Sequence, residues 1–155
     1  MKIHYCKQQS DIWWSLRCGI PTASGFDRIL TNKTAKPSSS QDDYIAELIA
    51  DRLCQNPNFF SGSGVQTRAM DNGISTEPEA RRWYEMAYEC EVQQVGFCLT
   101  EDERWGCSPD GLMPALSRGL ELKCPIGKTH MMYLMKPERL PVSYTHLTLP
   151  TNREV

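Results

Sequence analysis

The stretch Trp105–Pro125, WGCSPDGLMPALSRGLELKCP, limits what this chain can fold into more than any other part of it. Ser108-Pro109-Asp110-Gly111 has the composition of a turn, and a break punctuated by Pro114 and Gly119 separates it from a short run, Gly119–Cys124, that predicts a strand. Alternate side chains of a strand share a face. Leu120, Leu122 and Cys124 are therefore expected on a covered side, with Glu121 and Lys123 projecting together on the other. The fold must supply a sheet with an apolar layer against one face, and Asp110 arrives from the preceding turn as a second carboxylate.

An Asp followed eleven residues later by Glu-x-Lys is the signature of the metal-dependent PD-(D/E)xK nucleases. Two carboxylates suit a hard cation such as Mg²⁺, and a lysine beside them can orient or polarise an attacking water and offset charge developing on phosphorus. The pattern is short, and an edge strand carrying a solvated Glu121–Lys123 ion pair would read the same way. The rest of the chain has to separate the two.

A chain of 155 residues supports one domain with a sizeable core. Hydrophobic content of 40% with 23% charged residues fits a globular protein. No apolar run is long enough for a bilayer and no signal-type segment opens the chain, so a cytoplasmic protein without a membrane partner is expected. Seven cysteines are odd in number, scattered, and never spaced Cys-x-x-Cys, which argues against a zinc ribbon or a disulfide framework and for reduced, mostly buried thiols. The net charge of −2 neither marks nor excludes a nucleic-acid-binding protein, because nucleases combine acidic metal sites with local basic patches.

Ser10 caps a predicted helix that ends near Gly19, with Trp13 or Trp14 and Leu16 on its inner face and Arg17 at its carboxyl end. Ser24 falls in the first turn of a following segment. Backbone N–H groups, a hydroxyl and an arginine are what a phosphate needs, so Arg17 and Ser24 are candidates for a phosphate pocket; a helix-dipole contact and a plain cap are the simpler alternatives. Residues 31–40 and 56–64 read as loops. Gln41–Gln55 is a predicted helix whose Tyr44, Ile45, Leu48, Ile49 and Leu53 form a stripe expected in the core. A second helical pattern covers Val65–Cys90 with interruptions near Gly73 and Pro78, and Thr76-Glu77-Pro78-Glu79 resembles a capping box that would put Glu77 at a helix amino end. There Glu77 either complements the dipole or serves as a third carboxylate able to reach a second metal ion. A strand over Glu91–Thr100, a turn at Glu101–Arg104, a partner strand within Trp105–Met113 and a short helix over Gly127–Met135, packed through its methionines, complete the reading.

Four motifs in order carry a family resemblance: Trp13-x-x-x-Arg17-x-Gly-x-x-Thr22-Ala-Ser24; Gly73-x-x-x-Glu77-Pro-Glu-Ala-Arg81-x-x-Tyr-Glu; Cys107-Ser-Pro-Asp110-Gly-Leu; and Leu120-Glu121-Leu-Lys123-Cys-Pro. Together they resemble the YqaJ-type viral recombinases, the family of phage lambda exonuclease. The resemblance implies an α/β, restriction-endonuclease-like fold with a mixed β-sheet flanked by helices. It also implies a Mg²⁺-dependent 5′-to-3′ exonuclease, with Mn²⁺ an alternative ion, acting on double-stranded DNA ends in phage recombination. Asp110 and Glu121 would be metal ligands, the Leu122 carbonyl would complete that site, Glu77 would assist a second ion, Lys123 would position the water, and Arg17 and Ser24 would hold the 5′-phosphate. A homotrimer when full length, a single-strand annealing protein as partner and a phage or prophage setting in a bacterial host are implied as well. A site-specific endonuclease of the same fold and a non-catalytic DNA-end-binding accessory protein are the competing functions.

The chain departs from the family pattern at its end. Val142–Thr151 reads as the translation of a sequencing adaptor, so 1–141 is expected to be the nuclease domain, lacking a final helix and strand, and 142–155 a non-native tail.

Overall fold

A computed structural model of the chain describes residues 1–31, 34–55 and 67–137. The expected loop at 56–64 and the expected tail at 142–155 lie outside the described residues. The chain divides into two compact units, residues 1–64 with 95–109, and residues 65–94 with 110–155.

The first unit is built on a three-stranded antiparallel sheet of β1 (Lys2–His4), β2 (Phe97–Leu99) and β3 (Gly106–Cys107), with β2 in the middle. Ile3 lies opposite Cys98, and Cys98 opposite Cys107. Strand β1 precedes the first predicted element and is held by its antiparallel ladder with β2. The expected strand over Glu91–Thr100 is regular only at β2, since the residues before it leave the sheet to bridge elsewhere. Helix α1 (Asp11–Arg17) starts where expected: the Ser10 hydroxyl accepts the Trp13 N–H at 3.4 Å, and the chain leaves the helix through Gly19 at φ +65°. Trp13 is packed with Phe97 and Leu99, and Cys6, Trp14, Leu16 and Ile20 close around them. Phe97 is fully buried. Gly106 makes room for it, because a Cβ there would stand 2.1 Å from the Phe97 ring.

A 3-10 turn (Ala23–Arg28) and helix α2 (Gln41–Cys54) complete this unit. The α2 stripe departs from expectation. Tyr44 is buried, but Ile49 is 54% and Leu53 79% exposed, and Ile45 is exposed with them. Tyr44 docks the helix by accepting the Thr22 N–H at 3.3 Å, and the buried residue one turn-pair later is Asp51, so the inner face is rotated away from the apolar stripe.

The second unit holds helix α3 (Arg68–Tyr88), the antiparallel pair β4 (Gly111–Met113) and β5 (Arg118–Leu120), and helix α4 (Gly127–Met135). Val92, Met113 and Leu120 form its core, with Tyr84, Cys90 and Leu122 packed against them. Two expectations fail in α3. The helix runs unbroken through Gly73 and Pro78, and it is capped at Thr67, whose hydroxyl accepts the Met70 N–H, so Glu77 sits in mid-helix rather than at an amino end. Pro78 lacks only one intrahelical donor, and the hydroxyls of Ser75 and Thr76 donate back to the Asn72 carbonyl in the turn before it. The motif strand is also shorter than expected, ending at Leu120. Helix α4 has the expected bounds, although Met131, Leu134 and Met135 are exposed rather than packed.

The α/β class is as expected, realised as helices with small antiparallel sheets. Among the described residues no cysteine is in a disulfide, and only Cys98 is buried; Cys54 is exposed and the others are intermediate. None of the described helices is long and apolar enough to cross a membrane.

Candidate active site

The carboxylates gather in the second unit through a substitution in the β4–β5 ladder. The Asp110 N–H donates to the Leu120 carbonyl at 3.1 Å, as a strand partner would. One step further the main-chain acceptor is replaced: the Leu122 N–H donates to Oδ2 of the Asp110 carboxylate at 2.5 Å. This ends the strand at Leu120 and fixes Asp110 against the backbone between Glu121 and Lys123. From the other side, the Asn72 side chain on α3 donates to the Cys124 carbonyl at 3.0 Å.

Glu121 and Lys123 do project together, since the Lys123 ammonium donates to the Glu121 carboxylate. Glu77 lies on α3 and is paired with Arg81, four residues on. Burial pushes the Asp110 carboxyl up to about 6; the Leu122 N–H opposes the rise, the Glu121 and Glu77 charges add to it, and Lys123 opposes it again. The Cys124 thiol is likewise pushed up, first by burial and then by Glu77 and Asp110. The charges of Glu121 and Glu77 thus both act on the Asp110 carboxyl.

Among the described residues no three His, Cys, Asp or Glu side chains form a ready-made coordination group. Glu121 and Glu77 are each turned to a cationic neighbour instead. The donor set still fits a hard divalent cation in its chemistry: oxygen ligands only, with mutual repulsion that a cation would relieve. Leu122 is placed against Asp110 by its N–H, adjacent to the carbonyl assigned to the site by resemblance.

Arg17 and Ser24 come together in the first unit. The Arg17 guanidinium lies 4.2 Å over the Trp13 ring and 5.7 Å from that of Phe97, which leaves its edge for hydrogen bonds. That edge reaches Ser24 Oγ at 3.4 Å, Thr22 Oγ1 at 3.5 Å and Ser108 Oγ at 3.4 Å. Ser108 Oγ also accepts the Trp13 indole N–H at 2.8 Å. All three oxygens are neutral hydroxyls. Among the described residues Arg17 has no carboxylate partner, and its burial holds the guanidinium below its usual pKa. A desolvated cation among hydroxyls is a receptor for an anion. Thr22 and Ser108 carried no assignment from sequence; both stand within the motifs, two residues from Ser24 and Asp110 respectively, and polar residues beside a candidate were the available signal. Arg81 was also missed, although its i, i+4 spacing from Glu77 on a helix was readable.

No curated protein is significantly similar in sequence. Two crystal structures of LHK-Exo, an alkaline exonuclease from Laribacter hongkongensis, are similar in fold. The complex with dAMP has 28% identity and a TM-score of 0.67 over 89% of this chain and 65% of that one. The other structure gives 29% and 0.63 over 85% and 62%. This chain therefore spans just under two thirds of the length of the structures it matches. Residues 12–146 match the YqaJ-like viral recombinase domain. That match reaches from α1 past α4 and takes in both the Arg17 cluster and the three carboxylates, so the chain belongs to the YqaJ-like viral recombinase family.

Proposed function

We propose that the chain is the nuclease of a phage-type recombination system, a divalent-metal-dependent 5′-to-3′ exonuclease acting on double-stranded DNA ends. The observation that carries this reading is the Arg17 guanidinium, held by three neutral hydroxyls with no carboxylate among the described residues to balance it. A terminal 5′-phosphate supplies the missing charge and the acceptor oxygens. The likeness to an alkaline exonuclease, one structure of which holds dAMP, supports a nucleotide-directed site of the same kind.

When bound by Asp110, Glu121, the Leu122 carbonyl and Glu77, a divalent cation, Mg²⁺ or Mn²⁺, supplies Lewis-acid activation of water and neutralises charge at phosphorus. The chain's own groups prepare the rest. Asp110 is oriented by the Leu122 N–H. Lys123, held on Glu121, positions a water for in-line attack and donates to an oxygen on which negative charge develops. Arg17, Ser24, Thr22 and Ser108 hold the phosphate of the strand being cut, which fixes the end from which degradation starts. An assembly of several copies and a single-strand annealing partner belong to the same proposal.

The test is a linear duplex with a 5′-phosphate at one end and a 5′-hydroxyl at the other, incubated with Mg²⁺ or with EDTA. Metal-dependent loss from the phosphorylated end is the expected outcome. Cleavage of a closed circular duplex would identify an endonuclease instead. End binding without cleavage in any metal would identify an accessory protein.

A further inference from the structure

Arg81 is buried, at 8% exposed, in the middle of α3. Its guanidinium is engaged on three sides. Nη2 donates to the Glu77 carboxylate and Nε donates to the Asp110 carbonyl at 3.2 Å. The Gln94 amide, oriented with its oxygen toward the guanidinium, accepts from Nη1 at 2.9 Å and from Nη2 at 3.2 Å. One planar group therefore spans a carboxylate on α3 and the main chain of the residue whose own carboxylate faces β5.

We infer that Arg81 is a positioning residue for the cation site: it sets the separation of Glu77 and Asp110 and leaves the second oxygen of the Glu77 carboxylate to ligate. The inference rests on the reading above that these carboxylates hold a divalent cation. A guanidinium suits the task because its donors leave a rigid fork in fixed directions. A lysine could neutralise Glu77, but a point charge on a flexible stem cannot also hold the Asp110 carbonyl and Gln94 in one plane. Glu77 is the carboxylate whose placement most needs this help. It comes from a separate helix, whereas Asp110 and Glu121 are already locked to each other through the β4–β5 ladder. A buried ion pair with a purely structural role would alter the stability of the fold but leave the cation affinity of the folded protein unchanged.

The experiment measures Mn²⁺ binding to the full chain by electron paramagnetic resonance of the free ion, in the wild type, Arg81→Lys, Glu77→Gln and the double variant. Folding of each is checked by circular dichroism. Arg81→Lys is expected to weaken Mn²⁺ binding about tenfold or more, the usual scale for groups that orient metal ligands. In the Glu77→Gln background the same change is expected to have a smaller effect, because one of the two groups it positions is already gone. Gln94→Leu keeps the charge and every carboxylate but releases one edge of the guanidinium, and should weaken binding by about tenfold, the low end of the same scale; it carries the test if Arg81→Lys does not fold. Wild-type affinity in Arg81→Lys, or in Gln94→Leu where Arg81→Lys is unfolded, overturns the inference, as does an Arg81→Lys effect of equal size with and without Glu77. A wild type that binds no Mn²⁺ overturns the cation reading itself, so the two failures are distinguishable.

Discussion

Removing one negative charge at the carboxylate cluster should stabilise the metal-free protein. Asp110→Asn is the sharpest perturbation, because the amide oxygen can still accept the Leu122 N–H while the charge is lost. In the folded chain the Asp110 carboxyl is raised from 3.8 to about 6, chiefly by burial and then by Glu121 and Glu77. The native state therefore holds this proton more tightly than the unfolded chain does, and stability falls as pH rises through that window, with the whole cost present above about pH 6. At about 1.4 kcal/mol per pH unit the rise corresponds to about 3 kcal/mol. Asp110 is only partly buried, and screening by solvent reduces this to about 1–2 kcal/mol. Urea denaturation in EDTA at a series of pH values reads the difference. Asp110→Asn should be the more stable protein at pH 7.5, the gap should close toward pH 4, and added Mg²⁺ should stabilise the parent and not the variant. A variant less stable than its parent at pH 7.5, or a gap that does not change with pH, would refute the electrostatic account of the cluster.

Arg17→Ala should slow degradation of 5′-phosphorylated duplex by about tenfold to a hundredfold, the loss of a charge-assisted contact, and leave 5′-hydroxyl ends little changed; equal losses on both substrates contradict the phosphate pocket. Lys123→Ala should cut the cleavage rate by at least about a hundredfold. Because its ion pair with Glu121 is half-exposed, the same variant should change stability by less than about 1 kcal/mol and bind DNA as the parent does in a mobility-shift assay. Gly25→Ala puts a Cβ 2.4 Å from the Tyr44 hydroxyl and 2.7 Å from its ring carbon, so it should cost about 1–3 kcal/mol. An unchanged melting temperature would show that Tyr44 does not hold α2 to the Thr22 turn.

Much of the candidate site's geometry was legible because its residues lie close in sequence. Asp110, Glu121 and Lys123 sit within one turn and one strand exit, and the spacing of Glu121 and Lys123 predicted their shared side, which their ion pair confirms. Arg17 and Ser24 could be paired from a helix end followed closely by a turn, and the structure joins them. The four-motif resemblance led to the family that the domain match shows. What escaped depended on tertiary context. The strand ends at Leu120 because a side chain, the Asp110 carboxylate, captures an N–H that a backbone carbonyl was expected to take. Helix α3 runs on through Pro78, which costs it one intrahelical donor, so a capping-box pattern appears in a helix interior. The α2 stripe has helical period yet faces outward, since periodicity identifies a face and not what covers it.

The cysteines give this protein an optical handle that its sequence alone would not recommend. Thiol reagents attack thiolates they can reach. Cys54 is exposed on α2, whereas Cys98 is buried and hydrogen-bonded to Cys107, and burial holds the Cys18 and Cys124 thiols above their usual range. A maleimide dye should therefore label Cys54 first. It would then ride on the helix that Tyr44 fastens to the Thr22 N–H, next to the hydroxyls around Arg17. Whether an anion enters the Arg17 cluster would become readable as fluorescence, with no cleavage required.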